Sequence, residues 1–139
     1  MNSLDLDTPS AFAAIALAAV SWDGVLTGAG SRALRHAFDY RHPFVDYGDE
    51  RMVRLMDHLL RVLQQMGPQH LMVEAAAVLS PEQRSTAYAV AVEIMRSDGP
   101  LQADEANILG NLATVLGLEP PLTLDIQRVM EILHADLNG

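Results

Sequence analysis

Apolar residues recur along most of the chain at the three- and four-residue spacing of amphipathic helices, and no segment alternates long enough to predict a strand. Turn and capping signals divide this pattern into helices. We predict them over residues 9–20, 28–40, 49–66, 69–79, 81–96, 103–116 and from 123 onward. The expected fold is therefore all-α, a single-domain bundle of about seven helices over residues 1–139.

Several helix ends are marked by capping residues. Ser80, followed three residues later by Gln83, has the spacing of a capping box. Gly117 is a natural left-handed cap for the sixth helix. The Glu-Pro-Pro sequence at 119–121 predicts a linker, after which Thr123 is expected to cap the last helix.

Two Asp-Gly pairs are related by a shift of 75 residues along the chain, which places Asp23 and Gly24 on Asp98 and Gly99. Leucine and alanine positions around them also coincide. The weak internal repeat covers residues 12–40 and 87–115. It predicts two related helical hairpins, each turning at an Asp-Gly corner where glycine supplies a positive backbone φ.

Composition and charge narrow the possible roles. The chain has no cysteine, which excludes disulfides and thiolate metal sites, and its formal net charge of -9 argues against binding to nucleic acid. The longest apolar run, over residues 11–20, is too short to span a bilayer, and the segment before it has no basic residue typical of a secretory leader. We expect a cytoplasmic protein without a membrane span.

The segment 87–118, AYAVAVEIMRSDGPLQADEANILGNLATVLGL, resembles the tellurite-resistance TerB family. The shared pattern is an alanine-rich helix, an Asp-Gly turn, an aliphatic residue, a glutamate at the next helix start and a Leu-Gly close. It falls on Asp98, Gly99, Leu101, Glu105 and Gly117. The resemblance implies an all-helical bacterial domain associated with tellurite and general stress resistance and suspected of metal binding. A related domain occurs in a DnaJ-type membrane co-chaperone.

The acidic stretch between the fifth and sixth helices is a candidate cation site. Asp98, Asp104 and Glu105 offer the oxygen ligands that calcium and magnesium prefer, although their spacing does not fit an EF-hand. The alternative is structural: Asp98 would accept hydrogen bonds in an Asx turn, and the other two would favour the positive end of the helix. No catalytic residue is predicted, since the sequence has no nucleophile elbow and no paired-histidine metal motif.

A second candidate surface combines arginines and aromatic residues around residues 32–61. Its predicted members are Arg51, Arg54, Arg61, Tyr40, Phe44 and Tyr47. The three arginines recur at helical spacing on one face, and arginine and aromatic side chains are frequent anchors of protein interfaces. The alternative is an ordinary salt-bridged face with the aromatic residues holding a linker over the core.

The resemblance therefore implies a non-enzymatic TerB-like domain associated with tellurite and the general stress response, and the acidic segment 98–105 is its candidate site for weak cation binding beside the structural alternative. The alternative is an adaptor that binds another protein through the arginine and aromatic surface. No cofactor is required, a divalent cation fits the first hypothesis, and an unidentified protein or a second copy of the chain fits the other.

Overall fold

Helix α1 (Thr8–Val20) lies at the centre of the molecule, whose computed structural model describes residues 4–138. Every residue from Ala11 to Ala19 is buried, as expected for a helix that is apolar on all sides. Six of these nine residues are alanine, so neighbouring helices can approach closely. The helix contacts α2 to α6, and most extensively α4 and α5.

The remaining helices surround α1 in chain order. They are α2 (Gly28–Phe38), a short 3-10 helix (Phe44–Asp46), α3 (Gly48–Met66), α4 (Pro68–Ala76), α5 (Pro81–Arg96), α6 (Ala103–Leu116) and α7 (Pro120–Leu133). Residues 4–138 contain seven α-helices and no strand, which confirms the predicted all-α class. No helix in this part of the chain is both long and apolar enough to cross a membrane.

The capping signals at α5 and α6 were interpreted correctly. The Ser80 hydroxyl accepts a hydrogen bond from the Gln83 amide at 3.2 Å, and the Gln83 side chain accepts one from the Ser80 amide at 2.9 Å. This reciprocal pair is the predicted capping box. Gly117 ends α6 in the left-handed conformation, with φ 69° and ψ 32°.

The predicted start of the last helix was wrong. Helix α7 begins at Pro120, and Thr123 lies inside it, buried, with its hydroxyl donating to the Pro120 carbonyl at 3.0 Å. The physical reason is that the first amides of a helix have no intrahelical partner. Two prolines can therefore occupy the first turn without losing a hydrogen bond.

Helix α7 packs mainly on α5. The Gln127 side-chain amide donates to the hydroxyl of the buried Tyr88 at 2.7 Å. Burial raises the pKa of Tyr88, because the phenolate would lose its hydration, and the hydrogen bond from Gln127 opposes this in part. A polar contact therefore joins the last helix to the core.

Candidate functional site

Both Asp-Gly pairs lie between helices, where the repeat placed them. Asp23 and Gly24 belong to the connection between α1 and α2 (residues 21–27, the first corner). Asp98 and Gly99 belong to the connection between α5 and α6 (residues 97–102, the second corner). Gly24 has a φ of 83° and Gly99 a φ of 130°, so both turns use a backbone conformation that favours glycine.

The two corners line one cleft, called here the acidic cleft, with a volume of about 940 Å³. Since α1 packs against α5, the ends of the two helix pairs that carry the corners meet. Residues from α4 and α6 complete the lining. A cleft of this size lies within the range of small-ligand sites.

The lining of the cleft contains four carboxylates and no arginine or histidine. They are Asp23, Asp98, Asp104 and Glu105. Helices α1 and α5 end at the cleft while α2 and α6 begin there, so the partial charges of the helix ends roughly cancel. The carboxylates therefore determine the sign of the potential, which favours a cationic ligand.

The floor of the acidic cleft is apolar. It is formed mainly by Ala19, Val20, Ala33, Ile94, Met95 and Ile108. Trp22, the one tryptophan of the chain, is partly buried and contributes to the wall. The cleft thus offers apolar surface below and negative charge at the rim.

In the first corner the polar groups stabilise the turn itself. The Asp23 carboxylate accepts a hydrogen bond from the Val25 amide at 3.1 Å, which is an Asx turn. Gln64 of α3 donates to the Gly24 carbonyl at 3.1 Å. Thr27 caps α2 by accepting from the Gly30 amide at 3.0 Å. The sequence assigned the Asx role to Asp98, whereas the structure shows it at Asp23.

At the second corner and the first turn of α6, only one carboxylate accepts a hydrogen bond from the backbone. Glu105 accepts a hydrogen bond from the Gln102 amide at 2.9 Å and so caps α6. Asp98 and Asp104 are exposed and make no hydrogen bond or ion pair with any residue in 4–138. Two carboxylates at the rim are therefore available to a ligand.

The tentative metal ligands are close in the structure but are not arranged around one point. Within residues 4–138, no three histidine, aspartate or glutamate side chains are placed to hold a metal ion. Exposed side chains rotate on the picosecond to nanosecond timescale, so Asp98 and Asp104 could turn towards an ion. Cation binding by Asp98, Asp104 and Glu105 stays a prediction.

Phe44 is a correction to the predicted arginine and aromatic surface. Its side chain is buried and packs against Phe38, with ring centroids 5.0 Å apart, and against Phe12 at 6.3 Å. The 3-10 helix turns this residue into the core, where aromatic rings gain most from burial. Phe44 is therefore not available as an interface anchor.

The other members of that surface are accessible, and some already have partners. The Arg51 guanidinium stacks over the Tyr47 ring, 3.6 Å from its centroid, and Arg54 pairs with Glu50 at 3.1 Å. Arg61 and Tyr40 are exposed, Tyr40 to 82%. The salt-bridged interpretation thus applies at Arg54, while a partner-binding role of the surface stays a prediction.

Arg35 of α2 contributes to the fold beside this surface. Its guanidinium lies 2.8 Å from the Asp49 carboxylate at the start of α3 and 3.5 Å from Asp39. The hydrogen bond to Asp49 raises the pKa of Arg35, and burial opposes this. The contact with Asp49 joins α2 to the start of α3, and the contact with Asp39 lies within the end of α2.

The sequence did not place Asp23 or Trp22 in a ligand site. Asp23 was predicted only as a structural corner. The signal that points to them is the repeat, because two related hairpins packed through their first helices bring equivalent corners together. Gln69 of α4 and Asn111 of α6, which hydrogen-bond to each other in the cleft wall, carried no sequence signal.

Comparison of the chain with models of protein families, with curated proteins and with solved structures finds no match. A relationship to the TerB family stays a prediction from the resemblance of residues 87–118.

Proposed function

We propose that this protein is a non-enzymatic binding domain whose acidic cleft receives a basic, amphipathic segment of another protein. The observation that carries the proposal is the composition of the cleft. Four carboxylates, two from the corners and two from the first turn of α6, line the cleft together with an apolar floor, and no basic side chain contributes to the lining. Opposite charges at an interface speed association and select the partner.

A basic peptide fits the cleft better than a bare metal ion for two reasons. Lysine and arginine have long apolar stems that can lie on a floor of alanine, isoleucine and methionine while their charged ends reach the rim. A bare ion would use neither the floor nor Trp22, and it would need several oxygens around one point.

A role in the stress response follows from the TerB resemblance and from nothing in the cleft itself. The proposal of a basic partner is compatible with that role and with a domain that recruits other proteins. It does not depend on either.

The test uses the fluorescence of Trp22, which reports on the cleft without a label because the chain has no other tryptophan. The protein is titrated with a synthetic leucine and lysine peptide, with the corresponding leucine and glutamate peptide, and separately with calcium, magnesium and zinc chloride. We expect a saturable change with the basic peptide only, weakening as salt is raised. If a metal ion saturated the change at micromolar concentration and the peptide did not bind, the ligand of the cleft would be a metal ion and the peptide proposal would be wrong.

Two double variants separate the cleft from the overall charge. Asp98→Asn with Asp104→Asn removes two rim carboxylates, and Asp57→Asn with Glu82→Gln removes two exposed carboxylates outside the cleft. We expect the first to weaken peptide binding about tenfold, equivalent to about 1.4 kcal/mol, and the second to change it little. Equal losses in both variants would mean that the peptide senses only the net charge of -9.

A further inference from the structure

A second cavity adjoins the acidic cleft on the side of α3 and α4. This cavity, called here the side groove, has a volume of about 690 Å³ and lies where α3 ends and α4 begins. Its apolar lining consists of Trp22, Met66, Pro68 and Val73. Trp22 and Gln69 line both the side groove and the acidic cleft, so the two cavities meet at these residues. A ligand that lies in the cleft can therefore continue past Trp22 into the groove.

The side groove differs from the acidic cleft in charge. Within the part of the chain that the structure describes, no aspartate, glutamate or arginine lines it. Its one ionisable lining residue there is His70, whose ring lies 3.3 Å from the Glu74 carboxylate. The cleft, in contrast, is lined by four carboxylates. A lysine or arginine head group therefore gains more from the cleft than from the groove.

Part of the apolar lining of the side groove is accessible to solvent. Val73 of α4 is 51% exposed, and Trp22 and Met66 are only partly buried against the core. Covering these side chains would remove apolar surface from water, which favours association. The occupant of the groove should therefore present an apolar side chain to it.

We propose that the side groove receives one large apolar side chain, such as leucine, that flanks the basic residues of the segment bound in the acidic cleft. This inference rests on the proposed function and specifies the partner further, as a basic segment with an apolar anchor at one end. Charge assigns the basic residues to the cleft, and the wall shared at Trp22 assigns the anchor to the same segment. The partner is then selected by two unlike contacts, one electrostatic and one apolar.

The test compares three synthetic peptides of equal charge, each with blocked ends: hexalysine, hexalysine preceded by a leucine, and hexalysine followed by a leucine. Dissociation constants are measured from the fluorescence of Trp22, which lies between the two cavities. We expect at least one leucine peptide to bind about tenfold more tightly than hexalysine, since partial burial of a leucine side chain is worth about that factor. The ratio of the two constants should not change with salt, because salt screens only the lysine contacts.

A substitution in the groove separates the anchor from the basic residues. Val73→Asn should remove most of the gain from leucine and leave the binding of hexalysine unchanged, because Val73 lines the side groove and not the cleft. Val53→Asn is the matched control, since Val53 of α3 is 50% exposed and lines neither cavity. It should change neither dissociation constant. Circular dichroism checks that both variants fold, which the exposure of the two positions favours.

The outcomes distinguish this inference from the proposed function. If hexalysine binds but neither leucine peptide binds more tightly, or if the gain survives Val73→Asn, the inference is wrong while the proposed function stands. If none of the peptides binds, the proposed function fails and the inference fails with it. A change in Trp22 fluorescence with protein concentration alone, lost in Val73→Asn, would assign the groove to a second copy of the chain and also overturn the inference.

Discussion

The two Asp-Gly corners share a sequence signal but use their carboxylates differently. In the first corner Asp23 accepts a hydrogen bond from its own turn, and Gln64 of α3 holds the Gly24 carbonyl. In the second corner Asp98 makes no such bond within residues 4–138, and the neighbouring Asp104 is equally without a partner there. One corner is thus tied to its surroundings, and the other leaves two carboxylates at the rim of the cleft.

This difference separates two uses of the same motif. The glycine serves geometry in both corners, because both have positive φ. The aspartate serves geometry only in the first. Substituting a surface carboxylate that supports no backbone group changes the free energy of unfolding little. Substitutions at the second corner can therefore alter binding with little effect on folding.

The largest effect on stability is expected from the glycines. Gly99→Ala should lower the free energy of unfolding by about 2 kcal/mol, since φ of 130° is strained for any residue with a side chain. Gly24→Ala should cost about 1 kcal/mol, because its φ of 83° lies nearer the left-handed helical region. Urea denaturation followed by circular dichroism measures both values.

Gly110→Ala is the control for these variants. Gly110 lies within α6, and an added Cβ would meet no atom within 4 Å. It should therefore stabilise the protein by about 0.5 to 1 kcal/mol, the usual gain from replacing glycine by alanine in a helix. If Gly99→Ala behaved like Gly110→Ala, the second corner would not depend on positive φ.

The next largest effect on stability should distinguish Asp23 from Asp98. Asp23→Ala should cost about 1 kcal/mol of unfolding free energy, because it removes the hydrogen bond to the Val25 amide. Asp98→Ala should change stability by less than about 0.5 kcal/mol, as expected for an exposed side chain without partners. The same urea experiment checks both, and equal losses would mean that the corners are alike after all.

Local signals in the sequence predicted most of the fold. The capping box at Ser80 and the glycine at 117 act through neighbouring residues only, and the bounds predicted for α5 and α6, 81–96 and 103–116, are those of the structure. Prolines 120 and 121 misled the prediction, since the same residues either open a helix or form a linker, and in the structure they open α7.

The candidate site was predicted less well because it depends on contacts between distant segments. The acidic residues of the second corner were recognised from their chemistry. Their meeting with Asp23 and Trp22 follows from the packing of α1 on α5, which no local pattern encodes. Phe44 shows the same limitation in part, since it packs on Phe12, more than 30 residues away, as well as on the nearby Phe38.

The smallest expected effect on stability concerns the hydrogen bond that joins α3 to the first corner. Gln64→Ala removes the hydrogen bond to the Gly24 carbonyl, which has no counterpart from another helix in the second corner among residues 4–138. Because Gln64 is exposed and water can replace it, the expected loss of unfolding free energy is only about 0.5 kcal/mol. Gln65→Ala, next to it on α3 and also exposed, should have no measurable effect.

Amide hydrogen exchange adds a local measurement to this small difference in stability. With Gln64→Ala we expect faster exchange of the Val25 and Gly30 amides, which are hydrogen-bonded within the first corner, and unchanged exchange of the Gln102 amide in the second. Faster exchange in both corners would mean that they open together, and the first corner would then owe its order to the shared cleft instead of to α3.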